Sequence, residues 1–564
     1  MTERRVIIFF FLLAFSVVET WLPGTSAPRS LLAQGIAPYN DSIRKEDLRA
    51  DLFFLASDEM KGRLSATPEN SLAGAFIKSR FERLGLKPAG PKGSFYQPYH
   101  LITASLGEEN HLDLSFANGA TLRPQLGQDY YPLRFSASGT AQGSLMYAGF
   151  GISSPERSHD DYGDAEIKGK IVLVLNHEPG EDDPESPFDG VVAAEVSRPL
   201  RKTLLAQRKG ASGILFVRDV HNHPDPENFE AAARAYWPET PRRTGRYSLA
   251  SWVEKIRIPA ARISPALAEI LLGGAGRTLA DLSRGAESSG GITPMPLPGV
   301  RADLTTSLDR HVVPDRNVVA LAEGSDPALK DEWVIVCAHY DHNGADGNRI
   351  FNGADDDGSG TAGLIEIAEA YAMAARDGER PRRSVLFAAW NSEERGLLGS
   401  WAYTEQPLSP LESTVAVLNM DMIGRNEEVP VGGGRRFRGL DLQTAESNRN
   451  AINILGYTYS ADLKSELETT NKAFGLELKM RYDNNRSNLL RRSDHWPFLQ
   501  RGVPALFFHT GLHPDYHTVN DRPEKIQYDK LEKIVRLVHQ MSWNLAQAAT
   551  RPRLSRTATP GTGR

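Results

Sequence analysis

The sequence contains a single cysteine, Cys337, in 564 residues. That scarcity excludes an intramolecular disulfide and any Cys-x-x-Cys zinc finger. Cys337 lies in the apolar run 333–338 and reads as a small buried hydrophobe on a strand rather than a nucleophile. A basic excess is also missing: 65 Lys and Arg face 71 Asp and Glu, for a net charge of -6, and there is no long basic run. Nothing therefore favours nucleic acid as a partner. An apolar run long enough to span a bilayer is lacking too. The best candidate, Val6 to Val18, falls short of the roughly 20 residues a span needs. Preceded by Arg4 and Arg5, it has the form of a secretory signal, with cleavage after Ala27 or Ala33. The expectation is an exported protein, periplasmic or secreted, with no stable membrane insertion after cleavage. An uncleaved membrane anchor is the alternative.

What is present is a soluble globular composition, 40% hydrophobic and 24% charged. The length points to two domains. Between Ile43 and Leu86, apolar residues recur at three- and four-residue spacing, predicting helices, with Gly85 placed to stop the second. From about Leu114 to Gly299 short β-like runs such as 143–147 and 170–175 alternate with loops rich in Gly, Pro and acidic residues. After Asn317 the pattern becomes strand, loop, helix. Apolar runs at 333–338, 384–390, 414–418 and 505–508 read as buried strands, and 361–375 and 528–548 as helices. The expected fold is α/β, a mostly parallel central sheet with helices on both faces, plus an inserted smaller β-rich α/β domain. Expected boundaries are a signal at 1–33, a first part of the main domain at 43–113, an insertion at 114–299, the remainder at 300–548, and a disordered tail at 549–564.

In such a sheet ligands gather beyond the carboxyl ends of the strands, and that is where metal-binding residue types fall. One strand ends in Ala338-His339-Tyr340-Asp341, with His339 suited to bind a metal and Asp341 to steady its ring. Asp355-Asp356-Asp357 follows in a glycine-rich loop before a helix, a density of negative charge that asks for cations or solvent. Oxygen ligands alone would also suit calcium, and the nearby histidine shifts the balance to zinc. The strand at 385–390 runs into Glu393-Glu394, whose side chains leave the backbone in opposite directions, so that one can bind metal while the other stays free as a base. Later strands deliver Asp421, then His509, His513 and His517.

Taken in order, Asn317-Val-Val-Ala320, His339-Tyr-Asp341, the segment 353–360, Glu393-Glu-Arg-Gly396, Asn419-Met-Asp421, Ser493-Asp-His495 and Tyr516-His-Thr518 resemble the di-zinc aminopeptidase family. That family includes bacterial leucyl aminopeptidases and, more distantly, glutamate carboxypeptidase and glutaminyl cyclase. The resemblance implies a peptide substrate and two zinc ions held by His339, Asp356, Glu394, Asp421 and His517. Asp356 would be the bridge, and a cis bond is expected between Asp356 and Asp357. Glu393 would be the general base, and Asp494 and His495 would lie on the substrate side. Asp357 stands where Asn is frequent in the family.

Asp161-Tyr162, the run 167–173, Lys202 and the run 209–215 resemble a protease-associated domain, which carries no catalytic residue in its relatives. His221-Asn-His223 and the acidic stretch Glu178 to Asp189 read as solvated loops. The resemblance favours an aminopeptidase. A carboxypeptidase or dipeptidase on the same zincs is the alternative, and a glutaminyl cyclase or a non-catalytic binding protein is less well supported.

Overall fold

The computed structural model describes residues 35–240 and 244–555. The expected signal segment lies outside the described residues, as do 556–564 of the expected tail. The first part of that tail is docked rather than loose: Arg553 N–H donates to Asp462 at 2.9 Å and Ser555 N–H to the Tyr459 carbonyl at 2.8 Å. No helix among the described residues is long and apolar enough to cross a membrane.

Seven strands form the body of a ten-stranded sheet: β1 (Tyr96–Leu106), β2 (Leu308–Ala322), β3 (Trp333–His339), β4 (Ser384–Trp390), β5 (Thr414–Met420), β6 (Ala451–Leu455) and β7 (Ala505–His509). Their spatial order is β1-β2-β4-β3-β5-β7-β6. The centre, β4-β3-β5-β7, is parallel. The flanks are not: β2 is antiparallel to both β1 and β4, and β6 to β7. The sheet is thus mixed around a parallel centre. The first rungs of β2 pair only with β1, leaving an edge on the other side where Pro314 costs no ladder bond.

The central strands are apolar on both faces because both are covered. Along β3, Val334, Val336 and Ala338 join one core, and Ile335 and Cys337 the other; β4 and β5 alternate likewise. One face is covered by helices, among them α1 (Lys45–Leu55), α2 (Pro68–Leu84), α3 (Gly360–Arg376) and α4 (Tyr528–Gln547). Helix α2 starts where the Thr67 hydroxyl accepts the Asn70 N–H, with Pro68 at its first turn, and stops at left-handed Gly85. The other face is filled by aromatic residues, including Trp390, Trp401, Tyr403 and Phe498.

Residues between β1 and β2 build a second, eight-stranded sheet with its own apolar cores. The chain leaves β1 at Leu106 and re-enters β2 at Leu308, which are cross-strand partners. From this second sheet a loop reaches back. Val192 is buried in the aromatic core of the first sheet, and the N–H groups of Val191 and Ala193 donate to the side chains of Asn484 (2.9 Å) and Asn488 (3.1 Å).

Candidate functional site

The carboxyl edge of the parallel strands brings the predicted residues together. His339 ends β3, Glu393 and Glu394 follow β4, Asp421 follows β5, and Asp356 enters from the loop before α3. The two oxygens of Asp356 face different neighbours. Oδ1 lies 3.2 Å from His339 Nε2, which in turn lies 3.7 Å from Asp421 Oδ1 and 3.8 Å from Glu393 Oε2. Oδ2 lies 2.9 Å from His517 Nε2, which is 3.1 Å from Glu394 Oε1. Two groups of ligand-type atoms therefore share one carboxylate. His342 joins the second group, with Nδ1 at 2.8 Å from Glu394 Oε1 and 3.7 Å from Asp356 Oδ2. The sequence reading missed it. His342 stands one position out of phase with the His339–Asp341 alternation, and only the turn that ends β3 brings it inward.

The supporting shell is built from backbone contacts. Asp341 does more than steady a ring: its carboxylate accepts the N–H groups of Glu393 (2.9 Å) and Glu394 (3.3 Å) and the Ser65 hydroxyl (3.0 Å). His339 Nδ1 is closer to the Asp341 carbonyl, at 3.1 Å, than to its carboxylate, at 3.6 Å. Asp357 accepts N–H groups from His339, Gly360 and Met422, joining three site segments. A Cβ on Gly360 would lie 2.5 Å from Asp357 Oδ1, so only glycine fits that approach. The Asp356–Asp357 bond is cis, as the resemblance implies. Asp521 accepts the N–H groups of Asp355 and Asp356, and His513 faces Asp355 at 3.2 Å. Ser493 donates to Asp421 Oδ2 at 2.6 Å and is itself held by Asn419.

Arg63, in the turn between α1 and α2, is fully buried and was not singled out from the sequence. Its guanidinium donates to the carbonyls of Leu55, Tyr340, Asn352 and Gly353 at 2.6–2.9 Å. It ties the helices to both ligand-bearing loops and places a positive charge near Asp341, Asp356 and Asp357.

Asp494 and His495 are the residues expected on the substrate side. Both are fully buried. Asp494 accepts from Ser400, burial pushes its carboxyl up to about 7, and His495 stacks on Phe507 with burial pushing its ring down to about 3. The cavity beside Asp356, Glu393 and Asp421 is instead walled by Met422, Leu489, Arg492, Phe507, His509, Leu512 and Tyr516.

Electrostatics separates the two glutamates. Burial, then the charges of Asp421 and Glu394, push Glu393 well above the usual carboxylate range despite the opposing pull of His339. Burial acts upward on Glu394 as well, but His517 and His342 outweigh it and hold it below that range. Burial would also raise Asp356, yet His342, His339 and His517 hold it well below. Burial opposes the charged form of His517, while Glu394 and Asp356 push it up to about 10. These carboxylates thus hold protons on imidazoles whose nitrogens are metal donors, and a divalent cation is the natural replacement for those protons. His339 Nε2 and Asp356 Oδ2 are buried with no hydrogen-bond partner among the described residues. The donor set, imidazole nitrogen with carboxylate oxygen, fits zinc.

Residues 317–542 match the model of Peptidase family M28. The chain is 25% identical over 474 residues to a probable glutamate carboxypeptidase of Arabidopsis thaliana, covering 79% of this chain and 59% of that protein. It is 41% identical over 108 residues to an aminopeptidase of Mus musculus, covering 19% and 13%. The chain thus spans less than two thirds of the length of these curated relatives. Among solved structures, an aminopeptidase from Aneurinibacillus sp. strain AM-1 aligns over 91% of this chain and 95% of its own, at 17% identity and a TM-score of 0.46.

Proposed function

We propose, from the match of residues 317–542 to the model of Peptidase family M28 and from the site geometry, that the chain is a zinc-dependent exopeptidase that releases amino-terminal residues from peptides. The observation that carries this reading is the sharing of Asp356 between two groups of ligand-type atoms, one around His339 and one around His517. In the proposal His339 and Asp421 would hold one zinc and Glu394 and His517 the other, with Asp356 shared by the two groups of ligand-type atoms. Such a pair of ions supplies a polarised carbonyl and an acidified water.

The chain's own residues do the rest. Glu393, raised by burial among carboxylates, takes a proton from the attacking water and passes it to the leaving amine. Asp341 fixes Glu393 and Glu394 through their backbone N–H groups, holding base and ligand in place together. Met422, Leu489, Phe507 and Leu512 give the cavity an apolar wall suited to a non-polar side chain. We further propose that the chain is exported by its amino-terminal segment, and that residues 114–299 are an inserted domain bearing on the site through the contacts of Val191 and Ala193.

A second reading, carboxypeptidase action, draws on Arg492 in the cavity wall, a cation suited to a terminal carboxylate. The test is a panel of peptides with free, amino-blocked and carboxyl-blocked ends, run on the zinc-loaded protein. The aminopeptidase reading expects cleavage to stop on amino blocking and to survive carboxyl blocking. The opposite pattern rejects it in favour of the second.

A further inference from the structure

The second sheet carries a group of metal-binding side chains that the peptidase reading does not use. His177 lies just beyond the strand Ile171–Leu175, Glu181 in the loop after it, and His223 in the loop after the neighbouring parallel strand Gly213–Val217. Their ligand atoms form a tight triangle. His177 Nδ1 is 2.6 Å from His223 Nε2 and 2.7 Å from Glu181 Oε2, and His223 Nε2 is 2.5 Å from Glu181 Oε1.

Hydrogen bonding does not account for all three contacts at once. Each imidazole nitrogen has a single in-plane direction, used either by one proton or by one lone pair. If both nitrogens carry protons toward Glu181, the two N–H groups oppose each other across 2.6 Å. If only one does, the other turns a lone pair toward the carboxylate. A cation drawn between the three atoms, once they part to make room for it, gives each nitrogen lone pair and the carboxylate a common partner.

The backbone beneath the triangle is fastened on every side. Lys202 Nζ donates to the His177 carbonyl at 2.5 Å, and Arg218 Nε to the His223 carbonyl at 3.1 Å. Glu287 accepts from the Gly180 N–H at 2.7 Å and the Asn222 side chain at 2.6 Å, joining the two loops directly. Side-chain exposures of 43% for His177 and 33% for His223 leave room for solvent as a further ligand.

We propose that His177, Glu181 and His223 form a separate binding site for a zinc-class divalent ion. Two imidazoles and one carboxylate match the preferences of such ions. The ligand atoms must part to roughly 3.4 Å to admit zinc at its usual bond lengths, a movement that side-chain rotation supplies. The bound ion staples two loops at the edge of the second sheet. One of them continues into residues 182–193, which contact Asn484, Arg486 and Asn488 just before Leu489 and Arg492 of the cavity wall. The acidic loop after Glu178 is thereby an anchored strut rather than a free solvated segment.

The test uses the full-length protein and zinc itself. Wild type, His223→Ala and Glu181→Gln are dialysed in parallel against dilute zinc chloride, and zinc per chain is measured by mass spectrometry. Each variant is expected to hold one equivalent less than wild type, with unchanged circular dichroism. Because the difference is read and not the total, failure of the two-zinc proposal for the first site would leave this comparison intact. A second arm avoids variants: crystals of the zinc-loaded wild type should give anomalous density at the zinc edge between the three side chains. Equal zinc content in all three folded proteins, or no anomalous density at that point, overturns the proposal.

Discussion

Asp341 grips Glu393 by the backbone, its Oδ1 accepting the Glu393 N–H at 2.9 Å. Its other oxygen takes the next N–H, that of Glu394. One carboxylate therefore sets the divergence of the two glutamates, one toward His339 and one toward His517. Asp341→Ala should cut kcat/KM by about 10–100-fold and weaken zinc retention by a similar factor, measured by steady-state kinetics and metal analysis on the same preparation. Unaltered kinetics and metal content would mean the turn holds without it.

Glu393→Gln keeps the shape of the side chain and removes its basicity. It should retain the zinc content of wild type while turnover falls by about two to four orders of magnitude. Loss of metal in this variant would reassign Glu393 from base to ligand.

The second ligand group contains two histidines, and they should not be equivalent. His517 Nε2 contacts both Asp356 and Glu394, so His517→Ala should lose one zinc equivalent. His342 makes its short contact with Glu394 alone, so His342→Ala should bind the same number of ions with roughly 10–100-fold lower affinity. Competition with a chromogenic chelator measures both. Identical behaviour of the two variants would make His342 a ligand in its own right.

Arg63 is a stability test as well as a test of the site's scaffold. Removing its guanidinium strips donors from four buried carbonyls, and Arg63→Met should cost on the order of 3–5 kcal/mol in denaturant unfolding. Arg63→Lys should rescue little, since an ammonium cannot reproduce the spread of the planar fork. A lysine variant as stable as wild type would show that charge alone suffices.

Much of this was legible in the sequence because the parallel centre writes itself locally. An apolar run of strand length followed within three residues by His, Glu or Asp names both the strand and the residue at its edge, and β3, β4, β5 and β7 all read this way. What stayed hidden depended on distant partners. Arg63 looks like any arginine in a turn, and nothing near it in sequence shows the carbonyls it meets some 280 residues later. The antiparallel pairing of β2 was masked by its charged residues and Pro314, which are tolerated only because half the strand is an edge. His177 and His223 belong to separate loops, and only the pairing of their strands makes them neighbours.

Glu366 on α3 offers a pH test away from the ligand groups. Burial, then the charges of Glu369, Asp47 and Asp51, push its carboxyl from 4.5 up to about 8. Between those values the folded protein binds more protons than the unfolded chain, so this contribution to stability falls as pH rises and levels off above about 8. Glu366→Gln should match wild type near pH 4 and exceed it on the alkaline side by an amount on the order of a few kcal/mol at most. Unfolding midpoints measured across pH 4–9 check the divergence, and parallel curves would refute it.

The pairing of Leu106 with Leu308 has a further meaning. Gly107 N–H donates to the Ser307 carbonyl at 2.9 Å, continuing the ladder one rung beyond those partners. Viewed from the first sheet, β1 and β2 are the arms of a hairpin, and everything between Gly107 and Ser307 occupies the place of its tight turn. The cost of closing so long a flexible connection grows only with the logarithm of its length, and an insertion that folds with its own ends together lowers it further. A second sheet that holds Gly107 and Ser307 together thus lowers the entropy cost of aligning the two long arms.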